Sequence, residues 1–234
     1  MCWHSIWNST AGRLRAKAHT LGPVSNSCTK LADQLKTAIR ATLGLTLVTG
    51  CIFPLLLFAI ARPLFPRQTK GSLLMRDGDV VGSRLIGQAF TRPEYFQGRP
   101  SAAGSGYDGT ASGGTSLGPN NPKLIDGSAD FAGIQQLAEE YRRQNALPPT
   151  ASIPIDAVTR SGSGLDPHIS PENAALQVPR VARARGLNEE TVSALVTEHT
   201  EGPQLGFLGK ARVSVLELNL ALDRLKPAAG PVKH

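Results

Sequence analysis

The run GTSLG at 114–118 matches the G-x-S-x-G pattern of serine hydrolases. That pattern supports nucleophilic chemistry when a strand-to-helix turn exposes the serine hydroxyl beside an oxyanion hole and a histidine acts as base. Ser116 is the candidate nucleophile here, with His168 or His199 as base. No strand is predicted before Ser116, and PNNP at 119–122 follows where a helix is needed. This context counts against a nucleophile at Ser116, and a membrane-anchored periplasmic serine hydrolase is kept only as the alternative to the function predicted below.

Two short pairs combine a histidine with a carboxylate, the combination that metal sites use. Asp166 lies two residues before His168, and His199 lies two residues before Glu201. Both pairs are loose two-residue spacings without the repeated pattern that metal-binding motifs show. A structural or surface role explains such pairs more simply. We predict no metal site and no catalytic residue from them.

A phosphate-binding loop of the G-x-x-x-x-G-K-[ST] type is the third possibility for chemistry. Gly209 and Lys210 match its end, but Gln204 stands where the first glycine is needed, and Ala211 has no hydroxyl for a magnesium ion. The sequence therefore contains no nucleotide-binding loop of this type, and ATP is not expected to bind through one.

The most distinctive polar run is SGSGLDPHIS at 161–170. Its hydroxyls and small residues suit an anion, a cation or another protein chain. The same composition suits a simple turn into the helix that Ser170 and Pro171 begin. The residues alone favour the turn.

The segment Ala41–Ala61 determines how the rest of the chain is organised, and it contains no charged residue. As a helix it spans about 32 Å, close to the hydrocarbon thickness of a bilayer. A buried helix of a soluble protein rarely has apolar residues on every face. A cleaved signal peptide is the closer alternative, because Ala59-Ile60-Ala61 fits a cleavage site, but its apolar region is usually shorter. We therefore predict an uncleaved transmembrane anchor in which Gly50 and Pro54 produce a bend.

The net charge of +7 is concentrated before this anchor. Residues 1–40 have six basic side chains and one acidic one, whereas residues 62–234 have nineteen and seventeen. The basic excess therefore does not indicate nucleic-acid binding. Basic residues in short flanks stay in the cytoplasm, so we predict a basic cytoplasmic tail at 1–36, a transmembrane helix at 37–61 and an extracytoplasmic domain at 62–234. The domain has no cysteine and is long enough to fold around its own core.

Local patterns predict a mixed α/β (α+β) domain with several helices and a small sheet. Strands are predicted at Val80-Val81, Leu85-Ile86, Tyr95-Phe96 and IDAVT (155–159), by apolar clustering or alternation. Helices are predicted at Ala129–Asn145, capped by Ser128 or Asp130, and from caps at Ser170 and Asn188, with Gly186 ending the first of these two. A last helix is predicted from a capping box of Ser214 and Glu217.

The segment at 98–122 has seven glycines and three prolines in its twenty-five positions, with Tyr107 as its single aromatic residue. Such a composition is typical of a flexible linker. It suits equally a long ordered loop whose glycines adopt positive φ angles against the surface of a partner.

Seven blocks of the sequence are distinctive when taken together and in order. They are LTLVTGCIFPLLLFAIA (45–61), GSRLIGQAF (82–90), YFQGRPSA (95–102), SGGTSLGPNNP (112–122), IDAVTRSGSGLDPHISPENA (155–174), VARARGL (181–187) and VLELNLALD (215–223). These blocks resemble one family, the C subunits of the Kdp high-affinity potassium-transporting ATPases. The resemblance covers about residues 33–226, and residues 1–32 extend beyond the usual family start. Thr115, Ser116 and Asn120 depart from the residues common in the family.

The resemblance implies a single-pass protein of a bacterial inner membrane. It implies partners as well: a potassium-conducting A subunit, an ATP-hydrolysing B subunit of the P-type class and a small F subunit. The C subunit is expected to be non-catalytic, to assist assembly and to act as a catalytic chaperone that raises the ATP affinity of the B subunit. ATP and potassium are then handled by the whole complex rather than by a cofactor of this chain.

Candidate contacts with these partners lie in the anchor and in the polar segments of the domain. They are Gly50, Pro54, Arg99, Tyr107, Asn121, Ser161, Ser163, Asp166 and His168.

Overall fold

The computed structural model describes residues 25–76 and 78–225, with side chains described from Leu31 onward. The chain divides between Leu64 and Phe65 into two compact units. The first contains the apolar helix, and the second contains the folded domain. Of the predicted tail, residues 1–24 lie outside the described residues.

The first unit is a helix with one irregular turn. It runs as α1 (Ser25–Leu47), a π-helical turn (Val48–Ile52) and α2 (Phe53–Leu64). Leu31–Leu64 is long and apolar enough to cross a membrane, and none of its most apolar window is buried within the chain. This one apolar N-terminal helix fits a single-pass membrane protein. The helix begins before the predicted limit of residue 37, and where the bilayer lies along it stays a prediction.

The π-helical turn lies at the position where a bend was predicted. Pro54 has no backbone N–H, so the carbonyl one turn earlier loses its usual donor. The Phe53 N–H instead reaches back to the Val48 carbonyl. A π-helical turn of this kind often marks a functional position in a helix.

The second unit contains two small antiparallel sheets. The hairpin of β1 (Leu73–Arg76) and β2 (Asp79–Ser83) forms one sheet. The other has three strands in the order β3-β5-β4: β3 (His168–Ile169), β5 (Arg212–Ser214) and β4 (Thr200–Glu201).

Six α-helices complete the described part of the domain. Two of them are single short turns, and the helices of the main core lie in the second half of the chain. The helices are α3 (Pro122–Ile125), α4 (Ile134–Gln144), α5 (Ile155–Val158), α6 (Pro171–Arg185), α7 (Glu189–Glu198) and α8 (Val215–Leu225). A mixed helix and sheet fold was predicted, and this is confirmed.

The main core lies where α6, α7 and α8 pack on the three-stranded sheet. Leu218 and Leu222 of α8 meet Val181 of α6, Val192 of α7 and Phe96, and each of these residues is fully buried. A smaller cluster joins α4 to α5 through a second group of apolar residues. That group includes Tyr141, Ala157, Val158, Leu137 and Leu176.

Two buried polar side chains of α8 connect it to distant parts of the domain. Asn219 accepts a hydrogen bond from the Phe96 N–H at 2.8 Å and donates one to the Phe96 carbonyl at 2.9 Å. Asp223 is paired with Arg76 of β1 and Arg185 of α6, each at 2.8 Å. Helix α8 therefore holds together segments from across the domain.

Several predicted strands are absent from the described structure. Within IDAVT (155–159), Ile155–Val158 forms α5 instead of a strand; the adjacent Ala157 and Val158 are both buried, whereas a strand with one buried face would point them to opposite sides. Tyr95-Phe96 is not a strand either, since the side chain of Asn219 takes the place of a neighbouring strand. Leu85-Ile86 forms a turn, and only Val80-Val81 belongs to a strand as predicted.

Helix starts were predicted with mixed success. Ser170 and Asn188 cap their helices as predicted. The helix predicted from residue 129 begins only at Ile134, because Ser128 and Asp130 hydrogen-bond to each other. Helix α8 begins directly after Ser214 as predicted, but the capping box predicted for Ser214 and Glu217 is wrong.

The Ser214 hydroxyl is buried without a hydrogen-bond partner in the described part of the chain. Glu217, its expected partner residue in the capping box, pairs with Arg84 at 2.8 Å instead.

Candidate functional site

Three of the predicted contact residues form one cluster on the surface of the domain. The Arg99 Nη1 atom lies 3.0 Å from Asp166 Oδ2. The other carboxylate oxygen, Oδ1, accepts the His168 backbone N–H at 3.0 Å and lies 3.4 Å from His168 Nδ1. Asp166 therefore binds both neighbours at once.

The electrostatics of this cluster keep Asp166 ionised. Partial burial raises the pKa of its carboxyl, but hydrogen bonds from His168 and Arg99, with the positive charge of Arg99, outweigh that effect. The net result is a pKa below the usual range for aspartate. A partly buried carboxylate with two fixed donors is a rigid feature, suited to recognition by shape and charge.

Tyr107 holds the backbone around Arg99 in place. Its hydroxyl donates a hydrogen bond to the Arg99 carbonyl. Burial, together with the nearby charge of Asp166, raises the pKa of Tyr107 to about 12, although Arg99 opposes this. Tyr107 is thus a neutral hydrogen-bond donor across the physiological range.

The glycine-rich segment packs against the polar run at 161–170. The Gly113 N–H and the Ser112 hydroxyl both donate to the Ser163 carbonyl at 2.9 Å, and the Ser101 hydroxyl donates to the Gly164 carbonyl at 2.6 Å. Of the two alternatives for 98–122, these contacts favour the ordered loop, but the surface that it packs against belongs to the same domain and not to a partner.

Gly164 is required at this junction. Its φ of +68° is one that L-residues rarely adopt, and a Cβ there would lie 2.6 Å from the Gly113 carbonyl oxygen and 2.7 Å from the Ala103 nitrogen. Two backbone segments therefore meet at a distance that excludes any side chain.

Ser161 and Ser163 face each other within the turn. Their hydroxyls lie 3.4 Å apart, and the Ser163 hydroxyl accepts the Leu165 N–H at 3.1 Å. They shape the turn, as the sequence favoured.

The cluster lines an open groove with a cavity volume of about 1120 Å³. Its walls bring opposite charges together with exposed apolar side chains, so the groove suits a polar, partly apolar protein surface better than a small ion. Its charged residues are Arg99, Lys210, Arg212, Asp156, Asp166 and Glu172, and its apolar residues include Ile155 and Leu176.

Sequence reasoning missed the groove's other charged residues. Lys210 and Arg212 come from β5 and the turn before that strand, and Glu172 lies in the first turn of α6. The sheet order β3-β5-β4 brings these distant segments beside His168, and no signal in the linear sequence indicates that order.

The remaining predicted contacts lie elsewhere. Asn121 caps α3 by accepting the Lys123 N–H at 2.9 Å. Gly50 and Pro54 lie at the π-helical turn in the other unit. These residues do not line the groove, and whether they contact a partner stays a prediction.

The geometry around Ser116 does not resemble that of a nucleophile. Neither a strand nor a helix adjoins Ser116, and its hydroxyl makes no hydrogen bond to either candidate histidine among the described residues. The Nδ1 atom of His199 instead lies 3.0 Å from the Leu195 carbonyl. No group of three or more His, Cys, Asp or Glu suited to a metal ion occurs in the described chain.

Comparison with known proteins places these features in a family. The sequence profile of KdpC, described as K+-transporting ATPase, c chain, matches residues 35–224. A Polaromonas naphthalenivorans protein named potassium-transporting ATPase KdpC subunit is 52% identical over 198 residues, covering 84% of this chain and 97% of its own length.

Two further relatives carry the same name. The one from Mycobacterium tuberculosis is 49% identical over 192 residues, which are 82% of this chain and 98% of its own length. The one from Koribacter versatilis is 48% identical over 202 residues, which are 86% of this chain and its full length. The match extends over the apolar helix and the groove-bearing domain together, and the chain therefore belongs to the KdpC family, the c chains of K+-transporting ATPases.

Proposed function

We propose that this chain is the accessory C subunit of an ATP-driven, high-affinity potassium uptake complex. The observation that supports it is the family match over residues 35–224, because it covers the apolar helix and the domain as one unit. The partners in this proposal are the potassium-conducting A subunit, the ATP-hydrolysing B subunit and the small F subunit. The chain itself is non-catalytic, and ATP and potassium are bound by the complex.

In this proposal the helix spans the bacterial inner membrane with its basic tail in the cytoplasm. The domain then lies on the periplasmic side, in agreement with the basic excess of residues 1–40. Protease added to intact spheroplasts should cleave the domain, and protease added to inside-out vesicles should spare it. The reverse pattern would overturn the orientation.

The groove is the surface by which the domain contacts the conducting subunit near its external potassium entrance. Its mixed charges favour a complementary protein surface, and its rigid Arg99–Asp166–His168 cluster limits the entropy lost on binding. Exposed Ile155 adds an apolar anchor beside these charges.

The same contact explains how the chain acts as a catalytic chaperone. A periplasmic domain cannot touch cytoplasmic ATP, so it raises the ATP affinity of the B subunit through coupling. Coupling requires that the groove bind one conformational state of the complex more tightly than another. Coupling energies of about 1–3 kcal/mol change an affinity about 5- to 150-fold.

Glu172→Lys tests this proposal because Glu172 is exposed, lines the groove and makes no hydrogen bond or ion pair in the described structure. Reversing its charge should raise the KM for ATP of the purified complex about fivefold or more, with kcat little changed. Glu139→Lys on α4 makes the same charge change outside the groove and should leave both parameters unchanged.

Copurification of the four subunits distinguishes coupling from assembly. A complex that forms normally with Glu172→Lys but has a raised KM supports the chaperone role. A complex that no longer forms supports assembly through the groove alone. Normal assembly with an unchanged KM in both Glu172→Lys and Arg99→Ala would refute the groove as the contact surface.

A further inference from the structure

A second surface of the domain is unlike the groove. The residues GPQLGFLG at 202–209, which we call the apolar tip, form a tight turn between β4 and β5. Leu205 and Phe207 are 82% and 75% exposed, and with Ile155 they are the most exposed large apolar side chains of the described domain. Leu208 beside them is half exposed. Single exposed apolar residues are common, but three within four positions on a projecting turn are not.

The turn is held in shape by its own backbone. Gln204 and Leu208 exchange two N–H to carbonyl hydrogen bonds of 2.9 Å, and the Gly206 N–H bonds the Pro203 carbonyl at 3.1 Å. A loose loop would let its apolar side chains fold back onto the domain. This hydrogen-bonded turn keeps Leu205 and Phe207 pointing outward.

Leu205 also carries backbone strain. Its φ of +54° lies in the left-handed region, where glycine is the favoured residue. Glycine occurs in this segment at positions 202, 206 and 209, yet the strained position carries a leucine whose side chain is 82% exposed. A strained, exposed leucine is explained most directly by a contact that the leucine makes outside the domain.

Charge around the tip suits one kind of partner. The tip itself has no charged residue, and exposed Lys210 follows it directly. The nearest acidic residue along the chain, Glu201, is paired with Arg212 at 2.9 Å. Leucine and phenylalanine beside a lysine are typical of segments that enter the boundary between lipid headgroups and acyl chains, where lysine meets the phosphates.

The chain itself supplies such a surface. Leu31–Leu64 is able to cross a bilayer, and the domain begins at the next residue, Phe65. We propose that the apolar tip inserts Leu205, Phe207 and Leu208 into the headgroup boundary of the bilayer that anchors the chain. The tip then gives the domain a second attachment to lipid, which adjoins the groove at Lys210 but does not need the potassium complex.

Quenching by brominated lipid tests this contact in the full-length chain. Trp3 and Trp7 are first replaced by phenylalanine so that a single tryptophan reports, and Phe207→Trp is then introduced. In nanodiscs whose acyl chains carry bromine near the headgroup, the emission of this tip tryptophan should fall about twofold relative to unbrominated nanodiscs and shift to shorter wavelength. Ile155→Trp, at an equally exposed site in the groove, is the matched control and should keep its emission.

Replacement of both Leu205 and Leu208 by serine provides a second readout. These side chains are exposed, so the domain should fold as before, while the quenching of the tip tryptophan should be lost. Equal emission of the tip tryptophan in brominated and unbrominated nanodiscs would overturn the proposal. So would a spectrum of the Phe207→Trp chain that changes only when the other subunits are added, because the tip would then bind protein rather than lipid.

Discussion

Replacing Asn219 by alanine should destabilise the domain by about 2–6 kcal/mol. The Asn219 amide is the partner of both the N–H and the carbonyl of Phe96, at 2.8 and 2.9 Å, and both residues are buried. Without the amide, two buried backbone groups lose their hydrogen bonds, and each such group costs about 1–3 kcal/mol. This is a large fraction of the about 5–15 kcal/mol that stabilises a typical domain.

Urea unfolding of the full-length chain in detergent micelles measures this effect. With a slope of about 2 kcal/mol per molar urea, the midpoint should fall by about 1–3 M. Asn120→Ala is the matched control, because Asn120 is an exposed loop residue that makes no hydrogen bond in the described structure. Its change should stay within about 0.5 kcal/mol.

Asn219→Asp keeps the side-chain acceptor for the Phe96 N–H but makes the donor to the Phe96 carbonyl depend on pH. A protonated aspartic acid can accept from the Phe96 N–H and donate to the Phe96 carbonyl, whereas its ionised form repels that carbonyl. The pKa of this new carboxyl should therefore be raised by folding, so its contribution to stability is present at low pH and lost as pH rises. The deficit relative to the parent should be smaller at pH 4.5 than at pH 7. A midpoint for Asn219→Ala equal to that of the parent would refute the reasoning.

Three further predictions concern the loop and its cluster. Gly164→Ala should lower the free energy of unfolding by about 1–3 kcal/mol or more, since its Cβ would lie 2.6 Å from the Gly113 carbonyl oxygen; urea unfolding measures this. Tyr107 should ionise near pH 12. The absorbance at 295 nm, titrated with pH, should therefore be the same for the parent and Tyr107→Phe up to about pH 10, the usual pKa of tyrosine, and should differ above it. Asp166 has a lowered pKa, so its contribution to stability is present above the unfolded value of about 4 and is lost as pH falls through the folded value. Unfolding midpoints measured between pH 6 and 2.5 should therefore fall less steeply for Asp166→Asn than for the parent.

Local chemistry made parts of the fold predictable. The apolar stretch, the caps at Ser170 and Asn188, and the end of α6 at Gly186 all follow from contacts within a few residues. The start of α4 was misplaced because Ser128 and Asp130 satisfy each other, which a capping rule does not consider. Rules based on neighbouring residues therefore predict an element correctly where contacts between neighbouring residues determine its structure.

Long-range contacts set the limits of prediction. Tyr95-Phe96 is as apolar as a buried strand, but its backbone partner is a side chain 123 residues away. Arg99 and Asp166 were both chosen from the sequence, yet their pairing across 67 residues was not foreseen. The other half of the groove, including Lys210, depends on a sheet order that no local pattern encodes.

The role of α8 in closing the domain has a consequence for its biogenesis. Asp223 pairs with Arg76 across 147 residues, and Leu218 and Leu222 fill the centre of the core. Until α8 has been made, Phe96 lacks the Leu218 and Leu222 side chains and the Asn219 hydrogen bonds of the finished core. A premature stop codon anywhere before residue 215 should therefore yield an unfolded product that cellular proteases remove, and the domain is expected to complete its folding only once α8 has been made.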